Sequence, residues 1–362
     1  MDGRVVGGIV TSSGAVWSEQ DTTPSAISDA LRELLKQRHA EAEGFVPARV
    51  LNLVVIVDRE WRGEIQNRLD DVGSYHASRT IVCSVEKGRD TIDGWASMTA
   101  EEDVPEGELA VAHEQVVVDV GERHLEHLDT VIDPLIVSDL ATLVWAPHRH
   151  TKGVDALSRL VQIVLLDSVD AGDAVSALQR SRELAEKHYV VDLAWLRSTP
   201  WRERVASTFD PRQWRPELNR ITSVTARHHP ESTIAGLLLF GWLASRLGWT
   251  PGKVTAHGGA MRGSATAHRQ EIKLALEPDE TMIAPGLAGI TIETASGLAI
   301  SLDRGPGGLT AHRRTRAGEE QTWTVTGASR GESGILGEGI RQALLRDHTY
   351  APALGAAGEM VA

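Results

Sequence analysis

The sequence predicts a protein of the α/β class whose C-terminal half belongs to the α+β class. In the N-terminal half, a nearly continuous β-branched run over residues 50–57 precedes a helical apolar pattern over 60–72 and a second apolar run over 79–85. This β-α-β order favours a right-handed crossover and a parallel strand pair. In the C-terminal half, short alternating segments joined by Gly-rich turns such as residues 305–308 indicate antiparallel strands. We therefore expect an N-terminal mixed sheet with helices, followed by C-terminal helices plus an antiparallel sheet.

The N-terminal half begins with an amphipathic helix. Thr23 can cap this helix, Pro24 suits its first turn, and Ile27, Leu31 and Leu34 lie on one apolar stripe. After the β-α-β unit, further strands are predicted at residues 94–100, 114–120, 140–145 and 162–166. The acidic segment between the first two of these strands is predicted to be a loop.

The C-terminal half combines two long helical patterns with short strands. Asp173 can serve as the N-cap of a helix that runs to about His188, and the apolar run over residues 234–249 predicts a buried helix that Gly248 ends. Strands are predicted at residues 266–276, 289–294, 298–302 and 322–326, and a last helix near 335–346 is expected to cover them.

These patterns divide the chain into four segments. We predict a flexible N-terminal segment over residues 1–19, an α/β domain over 20–171, an α+β domain over 172–350 and a frayed tail over 351–362.

Composition and charge exclude several classes of protein. The 362 residues include 50 acidic and 37 basic side chains, and the formal net charge of −13 would repel a nucleic-acid backbone. The longest apolar stretch has eleven residues, 234–244, whereas a bilayer span takes roughly 20. Because Cys83 is the single cysteine, no internal disulfide is possible, as is usual in a reducing compartment. We expect a cytoplasmic protein that binds neither nucleic acid nor membrane and carries no export signal.

The sequence lacks the motifs of the commonest chemistries. It has no G-x-x-x-x-G-K-[ST] phosphate loop, no G-x-S-x-G elbow, no H-E-x-x-H helix and no G-x-G-x-x-G turn after a strand. Without that last turn, a dinucleotide cofactor is not expected. The carboxylates at residues 101–103 are better explained as solubilising charge than as a cation site. Three histidine pairs fall short of the ligands that a zinc site needs: His124 and His127, His148 and His150, and His228 and His229. We predict no catalytic residue, no cofactor and no bound metal.

Arginine and tryptophan are concentrated in residues 195–215, which we call the Arg-Trp segment. These side chains are enriched at the energetic centres of protein interfaces, since each combines a large contact area with a directed polar group. As a hypothesis, partner binding is assigned to Trp195, Arg197, Trp201, Arg202, Arg204, Trp214 and Arg215. Two alternatives stay open. The tryptophans can be core residues, and the arginines of residues 197–220 can bind phosphate, as in a sugar-phosphate-binding protein or an unrecognised enzyme.

Seven blocks of the chain, in the family's order, resemble the OpcA family of glucose-6-phosphate dehydrogenase assembly proteins. They are Asp21–Leu35, Ala48–Val57, His76–Val85, Asp133–Pro147, Leu157–Asp170, Asp192–Pro211 and Ile234–Trp249. This resemblance implies a non-catalytic accessory subunit that binds glucose-6-phosphate dehydrogenase. It also implies that the subunit promotes assembly of the active oligomer and activates the enzyme in the oxidative pentose phosphate pathway.

Overall fold

The computed structural model describes residues 9–11, 14–41, 49–73, 78–100, 112–305, 308–326 and 331–362. Contacts within the chain define two units. The first comprises Met1–Leu166 with Lys187–Val191, and the second comprises Asp167–Glu186 with Asp192–Ala362. The predicted acidic loop at residues 101–108 lies outside the described residues.

The elements of the first unit build one sheet with helices. In chain order they are β1 (Ile9–Thr11), β2 (Gly14–Glu19), α1 (Pro24–Glu41), β3 (Leu51–Asp58), α2 (Arg62–Gly73), β4 (Ser78–Glu86), β5 (Asp93–Ala100), β6 (Ala112–Gly121), α3 (Leu128–Ile132), β7 (Thr142–Trp145), α4 (Thr151–Ala156), β8 (Ile163–Leu166) and β9 (Tyr189–Asp192). Short 3-10 turns connect several of them.

Among the described residues, nine strands form the N-terminal sheet in the order β1-β2-β5-β6-β4-β3-β7-β8-β9. The pairs β6/β4, β4/β3, β3/β7 and β7/β8 are parallel, whereas β2/β5 and β5/β6 are antiparallel. The α/β class and the mixed sheet are therefore confirmed, as is the parallel β3/β4 pair of the β-α-β unit. Numbered along the chain, the strands from β6 to β9 have the order 3-2-1-4-5-6, which is that of dinucleotide-binding sheets.

The second unit contains the remaining elements. They are α5 (Ala174–Ala185), α6 (Leu193–Arg197), α7 (Thr199–Phe209), β10 (Ile221–His228), α8 (Thr233–Leu247), β11 (Thr250–His257), β12 (Ala260–Ala267), β13 (Gln270–Pro278), β14 (Leu287–Thr294), β15 (Ala299–Gly305), β16 (Gly308–Arg314), β17 (Glu320–Thr326), α9 (Gly331–Leu345) and α10 (Tyr350–Val361).

The C-terminal sheet has the order β11-β12-β13-β10-β14-β15-β16-β17 among the described residues. Its pairs are antiparallel, as predicted, except for β10/β13, which is parallel because the chain passes through α8 and a hairpin before β13 returns beside β10. The single strand predicted over residues 266–276 is wrong. The chain turns back at His268 and Arg269, which both have positive φ, so the segment divides between β12 and β13.

Two segments, residues 14–19 and 351–361, contain more regular structure than the sequence predicts. The segment 1–19 is not flexible over its last six residues, because β2 pairs with β5. The frayed tail over residues 351–362 is also wrong: α10 spans it, and Ala353, Leu354, Ala357 and Met360 are buried. Small side chains explain this packing, since a Cβ on Gly241 of α8 would overlap the Ala353 carbonyl oxygen of α10.

Candidate functional site

The first half of the Arg-Trp segment lies in the interior of the second unit. Trp195, Trp201 and Arg202 have 2%, 2% and 8% of their surface exposed. The indole N–H of Trp195 donates to Asp347 at 2.7 Å, and the Arg202 guanidinium lies 3.4 Å above the Trp195 ring. These three residues were predicted to bind a partner, but their side chains are occupied within the unit. The alternative that the tryptophans serve as core describes Trp195 and Trp201 correctly.

Charges in this interior are held by specific partners. Burial lowers the pKa of Arg202 to about 10, and its Asp347 neighbour, 4.0 Å away, counteracts the effect. Burial also opposes ionisation of Asp347, but hydrogen bonds from Thr349 and Trp195 outweigh it and lower the pKa of that carboxyl. Arg197, largely buried, forms an ion pair with Asp167 at 2.6 Å.

The last three residues of the predicted set are at least partly accessible. Arg204 and Trp214 are half-buried, and Arg215 is exposed with its Nε donating to the Asp210 carbonyl at 2.7 Å. Arg313 of β16 places its guanidinium 4.6 Å from the Trp214 ring and 5.5 Å from the Trp323 ring. Sequence reasoning missed Arg313 and Trp323 because they come about 100 residues after Trp214. The structure thus groups Trp214, Arg313 and Trp323 into a half-exposed cluster, which we call the Trp-Arg-Trp cluster.

An open cleft of about 450 Å³ lies at one end of the C-terminal sheet. Arg227 and Asp303, paired at 2.6 Å, line it together with Arg304. Burial lowers the pKa of Arg304, whose guanidinium donates to the Leu287 carbonyl. Ile283, on the loop before β14, is 96% exposed beside this cleft. The cleft therefore combines a charged pair with a single exposed apolar side chain.

In the N-terminal sheet, the strand order reverses between β3 and β7. A crevice at this switch point is where sheets of this order bind dinucleotides, with glycines in the first turn and the pyrophosphate at the following helix N-terminus. Here β3 ends at Asp58, and the turn before α2 is Arg59-Glu60-Trp61. The turn therefore presents carboxylates and an indole where a pyrophosphate would need glycine amides. These residues do not fit a dinucleotide.

The neighbouring side chains at the switch point are paired with one another. Trp61 lies 5.5 Å from the His148 ring, and His150 Nε2 is 3.3 Å from Asp58 Oδ1. Burial lowers the pKa of His150, although Asp58 opposes this. Arg62 of α2 is held by Asp119 at 3.0 Å.

The histidine pairs do not gather metal ligands. Over the described ranges, no three His, Cys, Asp or Glu side chains are placed to hold a metal ion. His124 accepts a hydrogen bond from the Gly121 amide, and His229 accepts one from the Glu231 amide, so both cap short turns. The carboxylates at residues 101–103 lie outside the described part of the chain.

Comparison with known proteins connects both units to one family. Two family models, described as the N-terminal and the C-terminal domain of a glucose-6-phosphate dehydrogenase subunit, match residues 69–183 and 188–354. The chain belongs to the OpcA family. The boundary between the two OpcA models falls where α5 ends and the chain returns to β9.

OpcA relatives from cyanobacteria align with part of the chain. The OpcA protein of Synechococcus elongatus is 26% identical over 183 residues, which cover 49% of this chain and 40% of that protein. The OpcA protein of Nostoc punctiforme is 31% identical over 131 residues, covering 35% and 28%. The chain thus spans less than half the length of the curated relatives it matches.

Solved structures with a similar course of the chain are distant in sequence. An oxidoreductase from Sinorhizobium meliloti has 10% identity and a TM-score of 0.49, and covers 86% of this chain and 95% of its own. A scyllo-inositol dehydrogenase from Lactobacillus casei has 12% identity and a TM-score of 0.43, with 87% and 96% covered. Within the described residues, no helix combines the length and the apolar character that crossing a membrane requires.

Proposed function

We propose that this chain is a non-catalytic accessory subunit of glucose-6-phosphate dehydrogenase. In this proposal it promotes assembly of the active oligomer and activates the enzyme in the oxidative pentose phosphate pathway of the cytoplasm. The observation that carries the proposal is the turn at the switch point. The parallel strands keep the order of a dinucleotide-binding sheet, but Asp58, Glu60 and Trp61 stand where cofactor binding needs glycine.

Family membership supports the identity of the partner. Both matching models are described as domains of a glucose-6-phosphate dehydrogenase subunit, and the cyanobacterial relatives are named for the OxPP cycle. The physical mechanism we propose is linkage. A subunit that binds the assembled dehydrogenase more tightly than its dissociated form shifts the population toward assembly, by no more than that difference in affinity.

For the contact with the dehydrogenase, we propose the accessible end of the Arg-Trp segment. Arg204, Trp214 and Arg215 are at least partly exposed, and Arg313 extends the surface through its stack on Trp214. A Trp-Arg pair of this kind supplies apolar area and a cation at one place, as interface hot spots do.

The alternative of a sugar-phosphate site receives less support. Arg197 is already paired with Asp167, Arg220 contacts Glu217 at 3.3 Å, and Arg202 is buried against Trp195. At these three arginines a phosphate would have to displace a carboxylate or enter the interior of the unit. Calorimetry with glucose 6-phosphate alone separates the two functions, because an accessory subunit should give no heat without the dehydrogenase.

The direct test is the kinetics of the same organism's dehydrogenase with and without this chain, combined with light scattering. A lower apparent KM or a higher kcat, together with a larger oligomer, is the expected result. Trp214→Ala and Arg215→Glu should each weaken the effect, whereas Lys187→Glu, at an exposed site outside the segment, should not. No binding and no kinetic change at micromolar concentrations would refute the proposal. Equal binding by the variants would refute only the contact assignment.

A further inference from the structure

One face of the C-terminal sheet is open to solvent. The helices of the second unit pack on the other face, where Val224, Ile292 and Leu302 are buried and Leu276 meets Gly236 of α8. Side chains alternate along a strand, so the intervening residues point outward. Along β10, β14 and β15 those outward residues are half-buried or exposed, except Gly289, which is buried. The outward Ala275 of β13 is also buried, with 8% of its surface exposed. We call this surface the outer face.

The middle of the outer face is a row of small, uncharged side chains. The strand registers place Thr225 opposite Ala275 on one side and Thr291 on the other, and they place Thr291 opposite Ser301. These four residues form a row that crosses the strands. The row carries no charge, and depletion of charged residues is one property of the core of an interface.

Charged residues lie on both sides of this middle row, at matching positions along the strands. On one side are Lys273 of β13 and Glu293 of β14. On the other side are Glu277 of β13 and Arg227 of β10. The Arg227 guanidinium lies over Gly289 of β14, where a Cβ would overlap it, and it reaches Asp303 at 2.6 Å. On β13 and on β14, therefore, opposite charges stand at equal distances from the middle row.

We propose that the outer face binds the outer face of a second copy of this chain, around a two-fold axis that runs along the middle row. Rotation about such an axis reverses the strand direction, so that each strand lies opposite the same strand of the second copy. Lys273 then faces Glu277 of the second copy, and Glu293 faces the Arg227 guanidinium that lies over Gly289 of the second copy. Symmetry repeats both pairs, so four attractive pairs surround a neutral centre.

The net charge of the whole chain makes the balance of charges on the outer face informative. Two molecules with a net charge of −13 each repel one another in general. A face where Lys273, Arg227 and Arg262 offset Glu277, Glu293 and Asp303 is a place where two copies can meet without that repulsion. A heterologous partner would have no need of charges that mirror each other across one row.

The dimensions of the outer face suit a dimer. Its eight described strands, at about 4.8 Å spacing, span roughly 35 Å, and about six residues per strand give roughly 20 Å. The resulting area of about 700 Å² per copy is close to the roughly 800 Å² of a standard stable interface. Two sheets of the same hand pack within about 30° of each other, which keeps the pairs nearest the axis in register.

Sedimentation equilibrium of the chain alone tests the proposal. We expect a dimer at micromolar concentration. Thr291→Arg, at the centre of the row, should raise the dissociation constant about a hundredfold or more. Lys273→Glu and Glu277→Lys should each raise it about tenfold, and the double exchange, which restores opposite charges across the axis, should recover most of the loss. Thermal unfolding of each variant checks that the fold is kept.

Control variants and contrary outcomes are well defined. Val175→Arg and Lys187→Glu, both at exposed positions outside the C-terminal sheet, should leave the dimer unchanged. A chain that is monomeric up to about 100 μM, or a dimer that is indifferent to Thr291→Arg, overturns the proposal. So does a monomer whose Thr291→Arg variant instead loses binding to the dehydrogenase, which would assign the face to that partner. The sedimentation measurements do not depend on the function proposed above, because the dimer is observed without the dehydrogenase.

Discussion

Asp192, at the junction of β9 and α6, is a fully buried carboxylic acid. It accepts hydrogen bonds from the amides of Ser168 and Ala194, at 3.1 and 3.0 Å, and from the Tyr350 hydroxyl at 3.1 Å. Burial, assisted by the nearby Asp167 carboxylate, raises the pKa of Asp192 to about 6. Burial and the same Asp192 carboxylate also raise the pKa of Tyr350. The acid therefore joins the start of α6 to the start of α10.

Asp192 should make the protein less stable as the pH rises from about 4 to about 6. The folded state holds this proton up to about pH 6, whereas the unfolded chain releases it near its ordinary value of 3.8. The contribution of Asp192 to the free energy of unfolding is therefore complete below the pKa that the group has in the unfolded chain. It is lost as the pH rises through the pKa of the folded state, by about 3 kcal/mol in total.

The measurement is urea unfolding at pH 4.5 and at pH 7 for the parent chain and for Asp192→Asn. Since all other groups are shared, the variant should gain stability relative to the parent on going to pH 7. A difference between the two proteins that stays constant with pH would show that Asp192 ionises normally.

Individual contacts explain why the sequence predicted only part of the candidate site. A Trp or Arg is as suitable for a core as for an interface, and the residue that decides for Trp195 is Asp347, which lies 152 positions later. Nothing in the spacing of the Arg-Trp segment indicates that contact. Cys83 shows the opposite case: it lies in the apolar run over residues 79–85 that predicted a strand, and burial in that strand raises the pKa of its thiol to about 12.

At the scale of elements, the close packing of α8 against α10 depends on glycine. A Cβ at Gly241 would overlap the Ala353 carbonyl oxygen and approach the Ala357 amide to 2.9 Å. These are backbone atoms of a helix and cannot rotate away. The C-terminal helix can approach this closely only because the facing position on α8 has no side chain.

Gly241→Ala should therefore destabilise the protein by about 2 kcal/mol, since overpacking outweighs the gain in helix propensity. Gly355→Ala is the matched control, because a methyl group added at that glycine of α10 would meet none of the described residues within 4 Å, and it should stabilise by about 0.5–1 kcal/mol. Denaturant unfolding of the two variants measures the change in the free energy of unfolding for each substitution. Similar effects of the two substitutions would mean that α8 and α10 are not in close contact.

Elements were predictable where the local pattern was strong. The β-branched run of β3 and the apolar run of α8 could be read directly from the chain. β10 was missed because its outward positions are Ser, Thr and Arg, so that it resembles the polar segment before it. α10 was missed because alanine and glycine carry little hydrophobic signal, although they are what allows its close packing.

At the scale of the whole molecule, two observations belong together. The parallel strands of the N-terminal sheet follow a dinucleotide-binding order, while the turn after β3 cannot accept a pyrophosphate. The strand order could not be predicted from the sequence, because β3 pairs with β7, whose residues lie about 90 positions later in the chain. The absence of the glycine motif, by contrast, can be seen in the sequence itself. A sheet of this strand order without the glycine turn is consistent with the binding role that we propose.

Linkage gives the proposed function a consequence that concerns the whole complex. If the chain promotes assembly by binding the assembled dehydrogenase more tightly, the coupling is reciprocal. A tenfold preference, about 1.4 kcal/mol per bound chain, requires that a labelled chain bind about tenfold more tightly to dehydrogenase above its assembly midpoint than below it. Fluorescence anisotropy at the two enzyme concentrations measures this ratio, and light scattering with saturating chain should show the midpoint moving to lower concentration. Equal affinities on both sides of the midpoint, in the presence of activation, would mean that the chain acts on each dehydrogenase subunit directly and not through assembly.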